Sequence, residues 1–534
     1  MGCFSAEKTS RCGRSSARAP VSFLLVRAYL KRLVSTGAAY QAAEIAAKGI
    51  AVVTLPLYTA HASTKAYGAY NLLLTTVILA SIVLRLGVGE AFVRFYFTDE
   101  DEQRRTRIAR TATATVAWTT TVVALLAVAL AGPLSRLVLG FDDPLLMDCA
   151  ILGLWAFTNI EMAYAQLRVD ERARAYMFAS GANVAMTVAF TIALVVFAGQ
   201  GARGLLLGNF GASALVVLGL WWVLRRRFSL RVRGADLRAM LKFGLPTVPA
   251  DASVYALQVI DRLYLFRVVS HEAAGEYAIA VQLATVVFVF VRGFQYAWPP
   301  LAYSIDSDME ASRLYSLVTT YFVLATGVVV AAVALLGRWL VRLLAHPEYF
   351  GAHTALPWLA LGWTLYGLYQ VMIVITGRAR VMQRNIPAAC AGLAVNVLLL
   401  LVLVPSSGLD LGLAGAGIAL CGSYVAMVAI MHLLTRNVFA VDFEWRRLGR
   451  LTAILAGVAI SGELLLPTAG FSGLLLRALW LLLIPALLLV TRFFAPDERE
   501  QARSLAREGR RRVAAFRRGH GDVEAYAEDS LRDI

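Results

Sequence analysis

The chain is dominated by a succession of apolar runs, each about 20 residues long, the length an α-helix needs to cross the hydrocarbon core of a bilayer. About 14 such runs can be read, over 36–58, 68–92, 111–132, 145–167, 176–198, 204–224, 243–267, 276–299, 314–337, 354–376, 386–404, 412–434, 449–466 and 473–494. They lack the period-two alternation of membrane strands, and an open sheet edge in lipid would leave backbone groups unpaired. The expected fold is therefore an all-α polytopic membrane protein. With 59% hydrophobic and only 16% charged residues, the chain has too little polar surface for an ordinary soluble enzyme.

The runs are also repeated. Lys65 to Tyr70, KAYGAY, returns as Glu272 to Tyr277, EAAGEY, 207 positions later. At the same offset Arg85 falls on Arg292 and Tyr96 on Tyr303. Asn183, followed by Gly201 and Gly204, is answered at a slightly larger offset by Asn396, followed by Gly412 and Gly415. A duplicated bundle is a common way for transporters to build a central site, and the matched arginines suit an anionic cargo.

Charge placement sets the orientation. If the first span runs outward, the inner segments hold the runs at Arg104, Arg105 and Arg107, at Arg225 to Arg227, and at Arg378, Arg380 and Arg384, together with both basic tails. The outer segments hold few cations, among them Lys65, Arg136, Arg203 and Arg338. This asymmetry places both termini in the cytoplasm and accounts for most of the net charge of +16. Basic residues scattered over short loops speak against a nucleic-acid partner. The apolar patch Val21 to Val26 is too short for a secretory signal and is followed by Lys31 and Arg32. The basic segment from about 496 to 520 reads equally as an interfacial or a solvated helix. The five cysteines form no close pair, so neither a zinc site nor a disulfide framework is expected.

The ionisable groups inside the spans carry the functional reading. Lys48, Arg85, Arg262 and Arg292 lie well within apolar runs, where a cation costs at least ~2.5 kcal/mol unless it faces a cavity or a partner. In the first span Tyr40, Glu44 and Lys48 share a face; in the second, Asn71, Thr75 and Arg85 do. In the seventh, Asp251, Tyr255, Gln258 and Arg262 line up beside Asp261, and in the eighth Gln282, Thr285, Arg292 and Tyr296. The first two spans of each repeat thus carry charged stripes. Simpler readings stay open: Glu44 and Lys48 as an intrahelical pair, Asp261 and Arg262 reaching an interface, and Arg85 and Arg292 doing the same. Glu161 suits either a proton site or a helix interface. Pro56, Pro246, Pro249 and the pair Pro299-Pro300 loosen the charged helices locally.

These residues resemble the Wzx-type polysaccharide flippases of the multidrug/oligosaccharidyl-lipid/polysaccharide (MOP) exporter superfamily. The resemblance rests on AYGAY with Leu86-Gly87 and Ala91 to Tyr96, on Gly244-Leu245-Pro246 leading to Asp261-Arg262 and Gly275 to Tyr277, on Pro357 to Gly367, and on Asn396 with Gly412 to Gly417. It implies two pseudo-symmetric six-helix lobes, at 32–228 and 236–436, two extra helices at 445–495, an N-terminal tail at 1–31 and a C-terminal tail at 496–534. It implies alternating access that moves an undecaprenyl-diphosphate-linked oligosaccharide across the cytoplasmic membrane. Lys48, Arg85 and Arg292, with Arg262, would form a cationic cavity for the diphosphate, which guanidinium groups suit. Glu44, Asp251, Asp261 and Glu161 are the candidates for coupling to H+ or Na+, with no other cofactor expected. The expected partners are the lipid-linked oligosaccharide, the bilayer, a polysaccharide polymerase and glycosyltransferases, and the expected state is a monomer. A lipid II flippase and a drug or metabolite antiporter are the alternatives within the same fold. A membrane glycosyltransferase or polymerase fits less well, because the longest outer loop, about 337–353, offers only His346, Glu348 and His353 for catalysis.

Overall fold

The structure, a computed structural model, describes residues 49–98, 101–170, 172–225, 228–229, 231–303, 305 and 307–494. Glu44, Lys48, most of the first expected span and both tails lie outside the described residues. The described residues are helical, with no strand among them.

In chain order the α-helices are α1 (Leu55–His61), α2 (Thr64–Leu84), α3 (Val88–Thr98), α4 (Glu102–Ala129), α5 (Ala131–Leu139), α6 (Pro144–Val169), α7 (Ala173–Thr191), α8 (Gly201–Val223) and α9 (Gly234–Gly244). They continue as α10 (Val248–Tyr264), α11 (His271–Tyr303), α12 (Asp308–Leu344), α13 (Leu356–Arg378), α14 (Asn385–Leu403), α15 (Gly412–Thr435), α16 (Trp445–Leu465), α17 (Gly470–Trp480) and α18 (Leu483–Val490). Local chemistry starts several of them. Asp101 accepts the Gln103 N–H at 2.9 Å to cap α4, and Ser307 caps α12 through the Glu310 N–H.

Twelve described helical segments are long and apolar enough to span a membrane. They correspond to the second to sixth and eighth to fourteenth expected spans. The seventh is present but broken: α9 runs into a 3-10 turn over Leu245–Thr247, then α10, then a π-helical turn over Leu265–Val269. Pro246 and Pro249 remove backbone donors at its start, and Asp251, Asp261 and Arg262 lower its apolarity. The second expected span also ends earlier than its apolar run. Leu86 and Gly87 take φ of 51° and 68°, and α3 starts afresh at Val88.

The chain divides into two compact units. One holds the described residues through Thr54 with Ala80–Ala131 and Pro144–Thr247; the other holds Leu55–Leu79, Gly132–Asp143 and Val248 onward. In the first, Phe92, Tyr96, Ile108, Val116, Met162 and Met240 form a buried cluster joining α3, α4, α6 and α9. Gly87 and Gly244 meet backbone to backbone beside it, so a Cβ on either would overlap the other's carbonyl. In the second, Leu335 of α12 packs with Leu451, Leu455 and Val458 of α16 and with Ile484 and Leu488 of α18, which docks the last two spans onto the ninth.

The internal repeat is visible in these packing details. A Cβ on Gly204, at the start of α8, would stand 3.1 Å from the Leu194 carbonyl in the preceding span. A Cβ on Gly415, at the start of α15, would stand 2.9 Å from the Leu403 carbonyl that ends α14. Each unit thus repeats the same tight helix-on-helix approach, which only a small residue permits.

Candidate functional site

The second unit buries a charged cluster. Asp261 and Arg262, at the end of α10, are 1% and 8% exposed. Neighbouring helix positions point to different faces, so the two are not joined by a direct ion pair. The Tyr277 hydroxyl of α11 donates to Asp261 Oδ2 at 3.0 Å. Wholly buried Asn396 of α14 stands beside the same carboxylate. The Arg262 guanidinium lies within electrostatic reach of Tyr67, Tyr255 and Tyr277. Asp261 Oδ1, Arg262 Nε and both amide atoms of Asn396 are buried without a hydrogen bond of good geometry. Such a cluster is costly unless its polar capacity is used. The resemblance had singled out Asn396 through its spacing to the glycines; its position against Asp261 is set by how α14 packs on α10.

The repeat-matched arginines have different surroundings. Arg292 is half-buried two-thirds of the way along the continuous helix α11, three residues before the end of its membrane-length segment, with its guanidinium 5.0 Å from the Phe288 ring centre. Its Nη1 donates to Gln295 Oε1 at 3.3 Å, and Gln295 Nε2 donates to the Tyr366 hydroxyl at 3.4 Å, linking it to α13. Arg85 sits just past α2, where the chain turns, and its Nε donates to the Ser81 carbonyl at 3.4 Å. Arg85 belongs to the first unit and Arg292 to the second. Asp251 is exposed in the first turn of α10, and Glu161 is half-buried on α6, one turn from Tyr164.

Two charged residues escaped the sequence reading although they lie inside expected spans. Arg477 of α17 is 0% exposed. It donates to the carbonyls of Pro467 (3.0 Å), Leu335 (3.2 Å) and Leu466 (3.2 Å), and its Nη1 pairs with Glu463. Glu463 also pairs with Arg338 at 2.7 Å. The signal was an arginine four residues into an apolar run, with one carboxylate at the end of the run before it.

The second unit also contains an apolar cavity of about 680 Å³. Val323, Gly327, Leu361, Leu365, Leu455 and Ile460 line its length, on α12, α13 and α16. One rim carries Arg338, His353 and Glu463, and the other carries His432, Phe443 and Trp445. Along α16, Trp445 to Glu463 spans about 27 Å, close to the thickness of a hydrocarbon core. None of Arg85, Arg262, Arg292 or Asp261 lines this cavity.

The described residues form a helical bundle with a broken seventh helix and two appended spans. Solved structures with this fold include an inward-facing MATE family multidrug resistance transporter of the MOP superfamily, 14% identical, with 75% of this chain and 96% of that one covered and a TM-score of 0.61. The lipid II flippase MurJ, in an inward closed conformation, is 12% identical, with 87% of this chain and 99% of that one covered and a TM-score of 0.63. An outward-facing MATE family transporter is 13% identical, covering 76% and 96%, with a TM-score of 0.56. At these identities the likeness establishes the fold. No curated protein matches the sequence. The profile of the polysaccharide biosynthesis protein family matches residues 34–305, and the chain belongs to that family.

Proposed function

We propose that this protein is a flippase that carries an undecaprenyl-diphosphate-linked oligosaccharide across the cytoplasmic membrane for surface polysaccharide synthesis. Membership in a polysaccharide biosynthesis family supports the process. The observation that carries the cargo class is Arg292, a cation kept half-buried near the end of the membrane-length segment of α11 and linked through Gln295 to Tyr366. A diphosphate leaving water needs compensating charge, and guanidinium groups match phosphate oxygens. Arg85, Arg262 and Lys48 are the further cations assigned to the cargo. The apolar cavity along α16 suits the prenyl chain, while the sugars stay in a polar path.

Coupling falls to the Asp261 cluster. A carboxylate buried with Tyr277 and Asn396 is the kind of intramembrane group that takes part in proton or Na+ pathways. Glu44, Asp251 and Glu161 are the other coupling candidates. Both termini lie in the cytoplasm in this reading, and a polymerase and glycosyltransferases act alongside a monomeric flippase. A lipid II cargo is the second reading, favoured by the wider coverage of the MurJ likeness, 87% of this chain.

The deciding experiment is lipid extraction and mass spectrometry from a strain lacking the protein. Accumulation of a complete undecaprenyl-linked repeat unit on the inner leaflet is expected. Accumulation of lipid II instead would select the second reading, and a rise in toxin sensitivity with no lipid-linked glycan would select an antiporter.

A further inference from the structure

The apolar cavity of the second unit ends in an unbalanced charge. Its outer rim, in the charge-derived topology, carries Arg338, His353 and Glu463, and among the described residues that line it Glu463 is the one carboxylate. That carboxylate is already shared: Oε1 takes Arg338 at 2.7 Å, and Oε2 pairs with Arg477. A third arginine, Arg342, stands one turn past Arg338 on α12, with its guanidinium 4.5 Å from the Phe350 ring centre. The His353 ring stacks on the same phenyl ring at 4.5 Å, so one aromatic side chain gathers both. Arg338, Arg342 and Glu463 all act on that imidazole. Three arginines thus face one carboxylate at the edge of the hydrocarbon. Glu348, exposed in the same 3-10 segment, does not line the cavity.

These groups can reach a ligand. The Arg338 and Glu463 side chains are partly exposed, and Arg338 can leave without stranding Glu463, which keeps Arg477. His353 Nδ1 lies 2.6 Å from the Phe350 carbonyl. A carbonyl can only accept, so Nδ1 carries the hydrogen and Nε2 is the ring atom left to meet a ligand. The cavity also opens sideways: of its lining residues, Trp358 on α13 is 38% exposed and Ile460 on α16 is 60% exposed. An apolar slot that opens towards lipid and ends in arginines suits an amphiphile with an anionic head. Its section decides between one chain and two. Spread over the about 27 Å between its rims, the cavity of about 680 Å³ has a mean section of about 25 Å², a width of about 5 Å. Carbons of neighbouring chains stay about 3.5–4.0 Å apart, so one hydrocarbon chain fits this width and two side by side do not.

We propose that Arg338, Arg342 and His353 form a phosphate site at the outer mouth of this cavity for a single-chain lipid, the prenyl phosphate end of the cargo, whose chain fills the slot. The site deepens the flippase reading, on which the identity of the chain rests; the word outer rests on the charge-derived topology. Arg338 turns from Glu463 to the phosphate, whose oxygens match the guanidinium fork. Arg292 stands near the inner end of its membrane-length segment, so the two cationic sites lie towards opposite sides of the membrane.

Native mass spectrometry of the full chain in detergent, titrated with undecaprenyl phosphate, tests the site. The double variant Arg338→Gln/Arg342→Gln should weaken binding by about 10- to 100-fold, the loss expected when hydrogen bonds between charged groups are removed. Leu361→Trp narrows the slot and leaves the rim charges in place, and it should also weaken binding. Phosphatidylglycerol, with one phosphate and two chains, should bind the wild type more weakly than undecaprenyl phosphate does. Inorganic phosphate at equal concentration should not displace the prenyl lipid. Unchanged affinity in either variant, phosphatidylglycerol binding as tightly as the prenyl lipid, or displacement by inorganic phosphate would each overturn the site. No transport enters these measurements. Binding with the expected losses, in a protein whose deletion strain accumulates no lipid-linked glycan, would keep the site and remove the flippase reading. Accumulation of the glycan, with unchanged binding in the variants, would keep the flippase and remove the site.

Discussion

Arg477 makes the strongest stability prediction. Its side chain is wholly enclosed, and its guanidinium holds the carbonyls of Leu466 and Pro467 just past the end of α16, the Leu335 carbonyl in mid α12, and the Glu463 carboxylate. It caps the orphan carbonyls at a helix C-terminus while pinning the last spans to the ninth. Arg477→Met keeps the apolar stem and removes every one of those donors. Deleting the guanidinium strands helix-end carbonyls that an enclosed donor satisfied, at about 1–3 kcal/mol, while Glu463, whose side chain is 39% exposed, keeps Arg338. Arg338→Met removes only the other ion pair of Glu463, whose partners are 28% and 39% exposed, and should cost at most about 1 kcal/mol. Hydrogen exchange of the detergent-purified protein reads the difference where it acts. Amides of α16, α17 and α18 should lose protection in Arg477→Met by about tenfold relative to Arg338→Met, while α6 and α8 stay unchanged. Equal protection in the two variants would refute the reasoning that Arg477, rather than apolar packing alone, docks these helices.

Further outcomes can be stated briefly. Gly87→Ala, at φ 68° with the Gly244 backbone against it, should sharply lower the amount of folded protein in membranes; Gly89→Ala, whose Cβ meets nothing within 4 Å, should not. Arg292→Ala should abolish surface polysaccharide while leaving membrane insertion intact, and full activity would remove Arg292 from the cargo path. Asp261→Asn should remove the dependence of transport on the H+ or Na+ gradient; a variant that still follows either gradient would exclude Asp261. His353, in the 3-10 segment between α12 and α13, is held below the usual imidazole value by burial and by Arg338 and Arg342 nearby, against an opposing hydrogen bond to the Phe350 carbonyl. Its folded state disfavours the proton, so its contribution to stability is full above the unfolded value of about 6.5 and is lost as pH falls through the lower folded value. Acidification should therefore destabilise the wild type more steeply than His353→Asn, as measured by thermal unfolding against pH.

The spanning helices were legible because run length survives almost any packing: a helix such as α13 or α15 needs only its own composition to cross a bilayer. The break at Leu86-Gly87 was not, because the apolar run continues past it. Gly87, at φ 68°, meets the backbone of Gly244, more than 150 residues away, and no local pattern encodes that contact. Asp261 was marked by its charge within a span, yet its partners Tyr277 and Asn396 come from two other helices. Arg477 was missed for the converse reason. A single arginine in an apolar run looks like an end effect until the carbonyls it caps are located.

The repeat itself deserves a different reading from the one its arginines invited. Matching Arg85 with Arg292 suggested two equivalent cations, but the helix ends at one and continues through the other, so duplication did not preserve their surroundings. The glycines of the same motif did keep a shared role, because Gly68 and Gly275 supply the two faces of one crossing. A side chain can drift in function once its neighbours change. A backbone-to-backbone crossing cannot, since any Cβ on either partner separates both helices. The small residues of the motif therefore report the architecture that the duplication left in place. Its charged residues report where the surroundings of the two halves differ.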